Sequence, residues 1–511
     1  MLVLTDLSGI QDFLFHVQEI GGKQAKSLRF RSLYIQLLTE AISVRLLKAG
    51  GLGEECRVFS AAGKTLIDAG NATESGLAAL DEQVKEIQVW LRDKTQGRLR
   101  LNVARCSLPP NGAGYIEALH DLQKAKLQPW AALAHSDGTW RPQSLQTLPL
   151  EDPKQEAERD AELGRALVQR RNHWIVLGDR PERPAEGFDL AGLSAWFAET
   201  SSEASGVAAR NLNEFARYVP TDKSGKSLEF ADLADRARGA SFLAILKADV
   251  DNLGAAVAAR LIGAGDLQPL QAFSAKLDTF FAHSLDRHMR NDARWQFLYT
   301  IFSGGDDVLL AGPWDVVVDF AANIQRLFSE QFQAEGLTLS AGIAFFKPRF
   351  PIRLAAQQAE NNLHQAKSVA APGAGSPKDQ CCALGQLWKW NAHGSIAKAG
   401  KQLADWCDAR AIERGWLHTL LELALLRRGD KTGRDSKMQP AIATSRLAYH
   451  IGRNWPKPNH RDPLKRAVRK WVDSVLDEFD RPVPKAQPES LYLPAVIRYA
   501  MLATRRAEKG D

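Results

Sequence analysis

The chain has 511 residues, with 66 Lys and Arg against 60 Asp and Glu for a formal net charge of +6, and 45% of it is hydrophobic. This length exceeds what a single hydrophobic core supports and predicts three or four domains of ordinary globular composition. No apolar run approaches the ~18 residues of a membrane-spanning helix, which excludes that class and predicts no membrane partner.

The N-terminus carries Asp6, Asp12 and Glu19 and reads as neither a signal nor a transit peptide, so a cytoplasmic protein is expected. Residues 1–145 predict a strand at 2–6, a long helix near 27–48 and a hairpin near 57–69. A helix near 76–92, a strand near 98–106 and a helix near 114–126 follow. The order β-α-β-β-α-β is ferredoxin-like. His120-Asp121 falls inside the last of these helices and reads as an exposed pair. Pro142, Pro149 and Pro153 mark the exit. Residues 146–238 predict a mostly helical insert, clearest over Glu156–Arg171 and broken at Pro181, Pro184 and Gly187. A second α+β domain spans 239–387, with a flexible loop at Ala370–Pro377. Residues 388–511 predict a helical domain with six tryptophans, read as core because large aromatics at helical spacing are usually buried.

The second α+β domain carries the chemistry. Phe242 to Val250 reads as a buried strand that ends in Asp249-Val250-Asp251 and turns at Gly254 into a helix. Leu298 to Leu310 reads as a hairpin with Ser303-Gly304-Gly305-Asp306-Asp307 at its tip. Two adjacent carboxylates repel unless a cation lies between them, and Mg²⁺ is the usual one. Two metals held ~4 Å apart activate an attacking hydroxyl and neutralise a departing pyrophosphate. A solvated turn is the commoner meaning of Gly-Asp residues alone. The strand with its acid and the hairpin with its acid pair form the palm arrangement of polymerases and nucleotidyl cyclases. Asp249, Asp306 and Asp307 are the candidate catalytic residues and metal ligands, with Val250 beside them in the metal set. Asp251 is a candidate helix cap instead. A third strand, Leu337–Phe346, leads to a helix that Lys367 closes. A lysine there usually complements the helix dipole, yet Lys367 is also placed to meet a triphosphate.

The pattern occurs twice. Thr5-Asp6-Leu7-Ser8-Gly9-Ile10 aligns with Ala248-Asp249-Val250-Asp251-Asn252-Leu253, and the stretch Val58–Leu66 aligns with Ile301–Leu309. In the first copy Ser8 replaces Asp251, and Gly63 and Lys64 replace Asp306 and Asp307. This copy has lost its hairpin acids. It is expected either to hold a second nucleotide at Ser8, Gly9 and Lys64 or only to bury a face of the other copy.

The trio DVDNLG, SGGDD and SAGIAFF…AAQQAENNLHQAK, with the opening TDLSGIQDFLF and SLRFRSLY, resembles the large subunit of type III CRISPR effector complexes. The resemblance implies two ferredoxin-like palms, a helical insert and a C-terminal helical bundle. It implies an RNA-activated synthase of cyclic oligoadenylate with ATP as substrate, bound by Ser303, Gly304, Gly305 and Lys367, and Mg²⁺ or Mn²⁺ as cofactor. It further implies guide RNA, target RNA, a repeat-handle-binding subunit and small helical subunits as partners. Relatives usually begin with an HD nuclease domain; this chain starts at the palm strand, so no such nuclease is expected. Many relatives hold zinc on clustered cysteines. Here Cys56, Cys106, Cys381, Cys382 and Cys407 form no C-x-x-C pair, so reduced thiols and no structural zinc are expected.

From residue 381 onward there are 24 Lys and Arg against 14 Asp and Glu. This end is a candidate surface for RNA or an acidic partner, with Arg466, Arg469 and Lys470 on one helix face, although basic helical surfaces are most often simply solvated. Two rivals stay open. One is a palm enzyme making a different nucleotide product. The other is a non-catalytic scaffold, against which the retained acids argue.

Overall fold

The computed structural model describes residues 1–15, 24–61, 63–106, 112–127, 174–178, 188–198, 208–211, 217–223, 227–261, 267–428, 439–479 and 492–505. Contacts divide the chain into two compact units. One comprises Met1–Glu229 with Asn252–Val308, and the other Phe230–Asp251 with Leu309–Asp511.

In chain order the first elements are β1 (Leu2–Ser8), α1 (Ile10–Phe15), α2 (Gln24–Ala49), β2 (Arg57–Ala61) and β3 (Lys64–Asp68). Then come α3 (Glu74–Thr95), β4 (Arg100–Cys106) and α4 (Gly112–Leu127). The sheet order β2-β3-β1-β4 is ferredoxin-like, as expected. All pairs are antiparallel, and Asp6 of β1 stands opposite Lys64 of β3 and Asn102 of β4. Strand β1 is buried along nearly its whole length, its apolar Leu2–Leu4 giving way to the buried polar Thr5 and Asp6. Thr73 caps α3 by accepting from the Gly76 amide, and Leu80, Val84, Ile87 and Leu91 form its buried stripe.

The insert departs from expectation. Its described residues form β5 (Trp174–Gly178), β6 (Phe188–Leu190), β7 (Leu193–Ala198) and β8 (Ala208–Asn211), an antiparallel sheet of order β6-β7-β5-β8. The mostly helical reading is therefore corrected over these strands. Leu190 pairs directly with Leu193, leaving Ala191 and Gly192 as a two-residue loop. Both have positive φ, the signature of a type I′ hairpin. Glu156–Arg171 lies outside the described residues.

Next come α5 (Phe230–Ala234), β9 (Leu243–Val250), α6 (Leu253–Leu261) and α7 (Gln268–Asp278). A π-helical turn (Thr279–Ser284) joins α7 to α8 (Leu285–Asn291). Then follow β10 (Tyr299–Gly304), β11 (Asp307–Pro313), α9 (Trp314–Phe332), β12 (Leu339–Phe346), α10 (Ile352–Ser368), β13 (Gln380–Ala383) and β14 (Gln386–Lys389). The strand order is β10-β11-β9-β12-β13-β14. Its first four strands repeat the order of the N-terminal sheet, so the repeat seen in the sequence is a repeat of topology. The loop after α10 is tied down rather than loose: the Ala371 amide donates to Gln380 Oε1 and Lys378 N–H to the Ala366 carbonyl.

Helices α11 (Trp390–Asp408), α12 (Arg414–Arg428), α13 (Gln439–Asn454), α14 (Pro463–Phe479) and α15 (Leu493–Ala503) complete the chain. Trp388, Trp390, Trp406 and Trp455 are buried, and Trp406, Trp455 and Trp471 pack ring against ring. These tryptophans are core. Each fully buried large side chain contributes about 1.5–3 kcal/mol.

Candidate functional site

Asp249 occupies the next-to-last position of β9, a strand buried by β12 beside it and by α10 packed on it. Its carboxylate pairs with the Lys367 ammonium, which also donates to the Val250 carbonyl at 3.0 Å. Lys367 lies in the last turn of α10, which aims it back at the strand end. The ammonium therefore sits between a carboxylate and a carbonyl, two oxygens that together attract positive charge.

Asp251 does different work. It is almost fully buried, and its oxygens accept from Thr338 Oγ1 at 2.8 Å, from Ser340 Oγ at 2.9 Å and from the Asp379 amide at 3.0 Å. It fastens β9 to β12 and to the loop before β13. The expected helix-capping role is thus corrected: neighbouring donors in the sheet satisfy this carboxylate.

Asp306 sits at the bend between β10 and β11, and Asp307 opens β11. Gly305 has φ +65°, which lets the backbone turn where a side chain would be strained. The Lys64 ammonium at the start of β3 lies 3.5 Å from the Asp306 carboxylate. Asp306 is the main cause of a Lys64 pKa raised above the ordinary lysine value; burial opposes it, and Asp307 and Asp6 add to it. The structure thus brings Lys64 to Asp306, and Lys367 to Asp249 and Val250.

Ser303 is buried. Its hydroxyl donates to the Phe281 carbonyl at 2.6 Å, and its carbonyl accepts from Arg217 Nε at 2.7 Å. The hydroxyl expected to bind ATP is thus engaged inside the bend. Gly304 is buried beside it. Ser8 Oγ donates to Asp6 at 3.2 Å and accepts from Asn102 Nδ2 at 2.6 Å. Gly9 has φ +88°, and a Cβ there would lie 1.9 Å from the Arg98 carbonyl oxygen, so its position is fixed by close backbone approach.

Sequence reasoning missed Lys126. Its ammonium lies 3.0 Å from Asp6, a carboxylate that aligns with Asp249 in the repeat. Lys126 is in the last turn of α4, as Lys367 is in the last turn of α10. The signal was available: a lysine closes the helix after the fourth strand of each copy. Asp6, Lys64, Tyr115, Lys126, Phe273 and Asp306 are among the residues lining one pocket of about 380 Å³. That volume lies within the range of small-molecule sites. Its walls are largely apolar, with two lysines, Lys64 and Lys126, and three aspartates, Asp6, Asp278 and Asp306, among them. Burial pushes the Tyr115 hydroxyl up to about 12, so it is a neutral donor at physiological pH.

The carboxylates and the Val250 carbonyl are hard oxygen donors of the kind Mg²⁺ takes, so the residues fit such an ion by donor chemistry. Among the described residues, no group of three or more His, Cys, Asp or Glu is gathered to hold a metal. All five cysteines are free thiols, three of them buried. Among the described residues, no helix is long and apolar enough to cross a membrane.

A family model described as the second palm domain of Cas10/Cmr2 matches residues 242–373. One described as domain B of the Csm1 subunit matches residues 1–125. A Mycobacterium tuberculosis protein named as the CRISPR system single-strand-specific deoxyribonuclease Cas10/Csm1 of subtype III-A is 27% identical over 504 residues. Both copies of the repeat thus resemble domains of Cas10/Csm1 proteins. The match covers 84% of the chain and 60% of the M. tuberculosis protein, so the chain spans less than two thirds of that relative. Two solved Cas10/Csm1-family structures share the fold. A Csm1–Csm4 cassette in complex with cA4 superposes with a TM-score of 0.68 at 19% identity, covering 99% of this chain and 70% of that one. The cassette in complex with one ATP gives 0.67 at 19% identity over the same shares. The two family models fall on the two copies of the repeat.

The basic C-terminal face is partly spent internally. Arg469 pairs with Asp473 at 2.8 Å, and Arg466 donates to the His460 and Arg461 carbonyls at 2.8 Å. The face expected to meet RNA or an acidic partner, or simply to be solvated, thus carries arginines already engaged within the chain.

Proposed function

We propose that this chain is an RNA-activated nucleotidyltransferase subunit of a type III CRISPR effector complex that converts ATP into cyclic oligoadenylate. The observation that carries the reading is the pocket in which Lys64 and Lys126 of the first palm face Asp306 of the second. Two cations suit the triphosphate of a nucleotide, and apolar walls suit its base. The relatives' structures with ATP and with cA4 support the same substrate and product class.

In this reading Asp249, Asp306 and Asp307, with the Val250 carbonyl, hold Mg²⁺. The ion, when bound, lowers the pKa of the attacking hydroxyl and neutralises the departing pyrophosphate. Lys367 moves from Asp249 to the β and γ phosphates of the donor ATP. Gly304 and Gly305 admit that ATP close to the bend. Lys64 and Lys126 orient the acceptor nucleotide beside Ser8 and Gly9, so that its hydroxyl attacks in line. Guide and target RNA, a repeat-handle-binding subunit and small helical subunits complete the assembly.

The test is product analysis on the reconstituted complex with ATP and Mg²⁺, with and without target RNA. Cyclic oligoadenylate should appear only with target RNA and vanish in the Asp306→Ala, Asp307→Ala double variant. Undiminished product from that variant would refute the assignment of the acids, and no nucleotide product at all would favour a scaffold.

A further inference from the structure

A bend built on two glycines has little stiffness of its own. The bend carrying Asp306 and Asp307 is stiffened from outside. Gly305 N–H donates to Asp278 Oδ1 at 3.3 Å, two residues from the Ser303 carbonyl that accepts from Arg217 Nε. An anion thus holds an amide and a cation holds a carbonyl on the same short stretch. Each is a charge-assisted hydrogen bond, stronger and more directional than a neutral one.

The clamp is itself anchored. Asp278 is the last residue of α7, where the helix passes into the π-helical turn. Such turns are rare and concentrate at functional sites. The same turn supplies the Phe281 carbonyl that accepts from Ser303 Oγ. On the other side, the Tyr218 amide donates to the Asp286 carboxylate, and the Thr300 amide donates to the Tyr218 carbonyl at 3.1 Å. Arg217 is therefore carried on a segment running beside β10. Its charge is balanced by Asp278 and Asp286, which oppose the lowering of its pKa by burial. Asp278 also lines the pocket with Gly305 and Asp306.

We propose that Asp278 and Arg217 are positioning residues that fix the bend bearing Asp306 and Asp307, and so set how those acids meet the nucleotides. The catalytic half of this statement rests on the function proposed above. The conformational half stands on the contacts alone.

The experiment uses the full chain in its assembled complex, with Asp278→Ala, Asp278→Asn, Asp278→Glu and Arg217→Lys. Two quantities are read: the kcat and KM for ATP, and amide exchange of the peptide spanning 299–310. Asp278→Ala should lower kcat by about 10–100-fold with KM changed less than about 3-fold, because orientation and not affinity is lost. Asp278→Asn keeps an acceptor for Gly305 and should recover most of the rate. Arg217→Lys keeps the charge but loses the Nε–H donor and should lower kcat. Exchange at the bend should quicken in Asp278→Ala and Arg217→Lys and stay near the parent rate in Asp278→Asn. If Asp278→Ala fails to fold, Asp278→Glu keeps the charge but displaces the acceptor, and should show the same loss of kcat. Parent-like kcat and unchanged exchange in Asp278→Ala, or in Asp278→Glu if Ala does not fold, would overturn the proposal. If the unsubstituted complex makes no oligoadenylate, the functional reading falls and exchange alone decides: faster exchange at the bend in Asp278→Ala upholds the clamp, and unchanged exchange overturns it.

Discussion

The Lys64 ammonium lies 3.5 Å from the Asp306 carboxylate. A lysine from the hairpin of the first palm thus faces an acid from the bend between β10 and β11, at a position where the repeat would otherwise place a second carboxylate.

Replacing Lys64 tests what that pairing does. The lysine is half exposed, so the ion pair is screened, and Lys64→Met should change stability by less than about 1 kcal/mol. Oligoadenylate synthesis should fall by about 10-fold or more, through loss of a phosphate-facing cation. Thermal denaturation read beside product formation checks both. A parent-like rate would place Lys64 outside the nucleotide site.

Asp249 and Asp251 lie two residues apart and should fail in opposite ways. Asp249→Ala removes a carboxylate in a quarter-exposed ion pair and should cost less than about 1 kcal/mol, while abolishing at least about 100-fold of activity. Asp251→Ala strands buried donors at Thr338, Ser340 and Asp379 and should cost about 3 kcal/mol. Denaturant titration of both variants separates the roles. Equal destabilisation would contradict them.

His393 predicts a pH dependence. Its Nδ1 accepts from Trp388 Nε1 at 3.1 Å and its Nε2 donates to the Val318 carbonyl at 2.9 Å. The neutral ring satisfies both partners, whereas a protonated ring would set one N–H against another. Burial lowers its pKa; the Val318 bond and Asp319 oppose this, and Lys401 adds to it. A base with a depressed folded pKa binds fewer protons folded than unfolded. Stability is therefore retained above the unfolded value of about 6.5 and lost as pH falls from there toward the lower folded pKa. The melting temperature should decline across that window, and His393→Gln should flatten part of the decline. An unchanged slope would remove His393 as its source.

Gly9 is constrained by space and by backbone angle together. Gly9→Ala would drive a Cβ against the Arg98 carbonyl at a φ of +88°, and should destabilise by about 2 kcal/mol or more. Chemical denaturation measures it, and a neutral effect would mean that the β1–α1 turn relaxes freely.

The first palm was legible because each element announced itself locally: a long helix at 3.6-residue spacing, a short hairpin, and a strand framed by helices. The acids of the second palm were legible for the same reason. The sheet over 174–211 was not, because its strands run only three to six residues and the tight loop is Ala-Gly instead of the familiar Asn-Gly. The partners of the acids were hidden for another reason. Arg217 meets Ser303 across 86 positions of sequence, and Lys126 meets Asp6 from the far end of a domain. Side chains that act over such separations leave no local pattern, and only folding reveals that Ser303 faces inward.

The exchange of acids for Gly63 and Lys64 in one copy also determines which surface prefers which. Two identical anionic hairpins brought together would repel, and two cationic ones equally so. One of each attracts. With Lys64 in place of one acid, the facing hairpin bends meet as opposite charges, where two unaltered copies would have met as like ones.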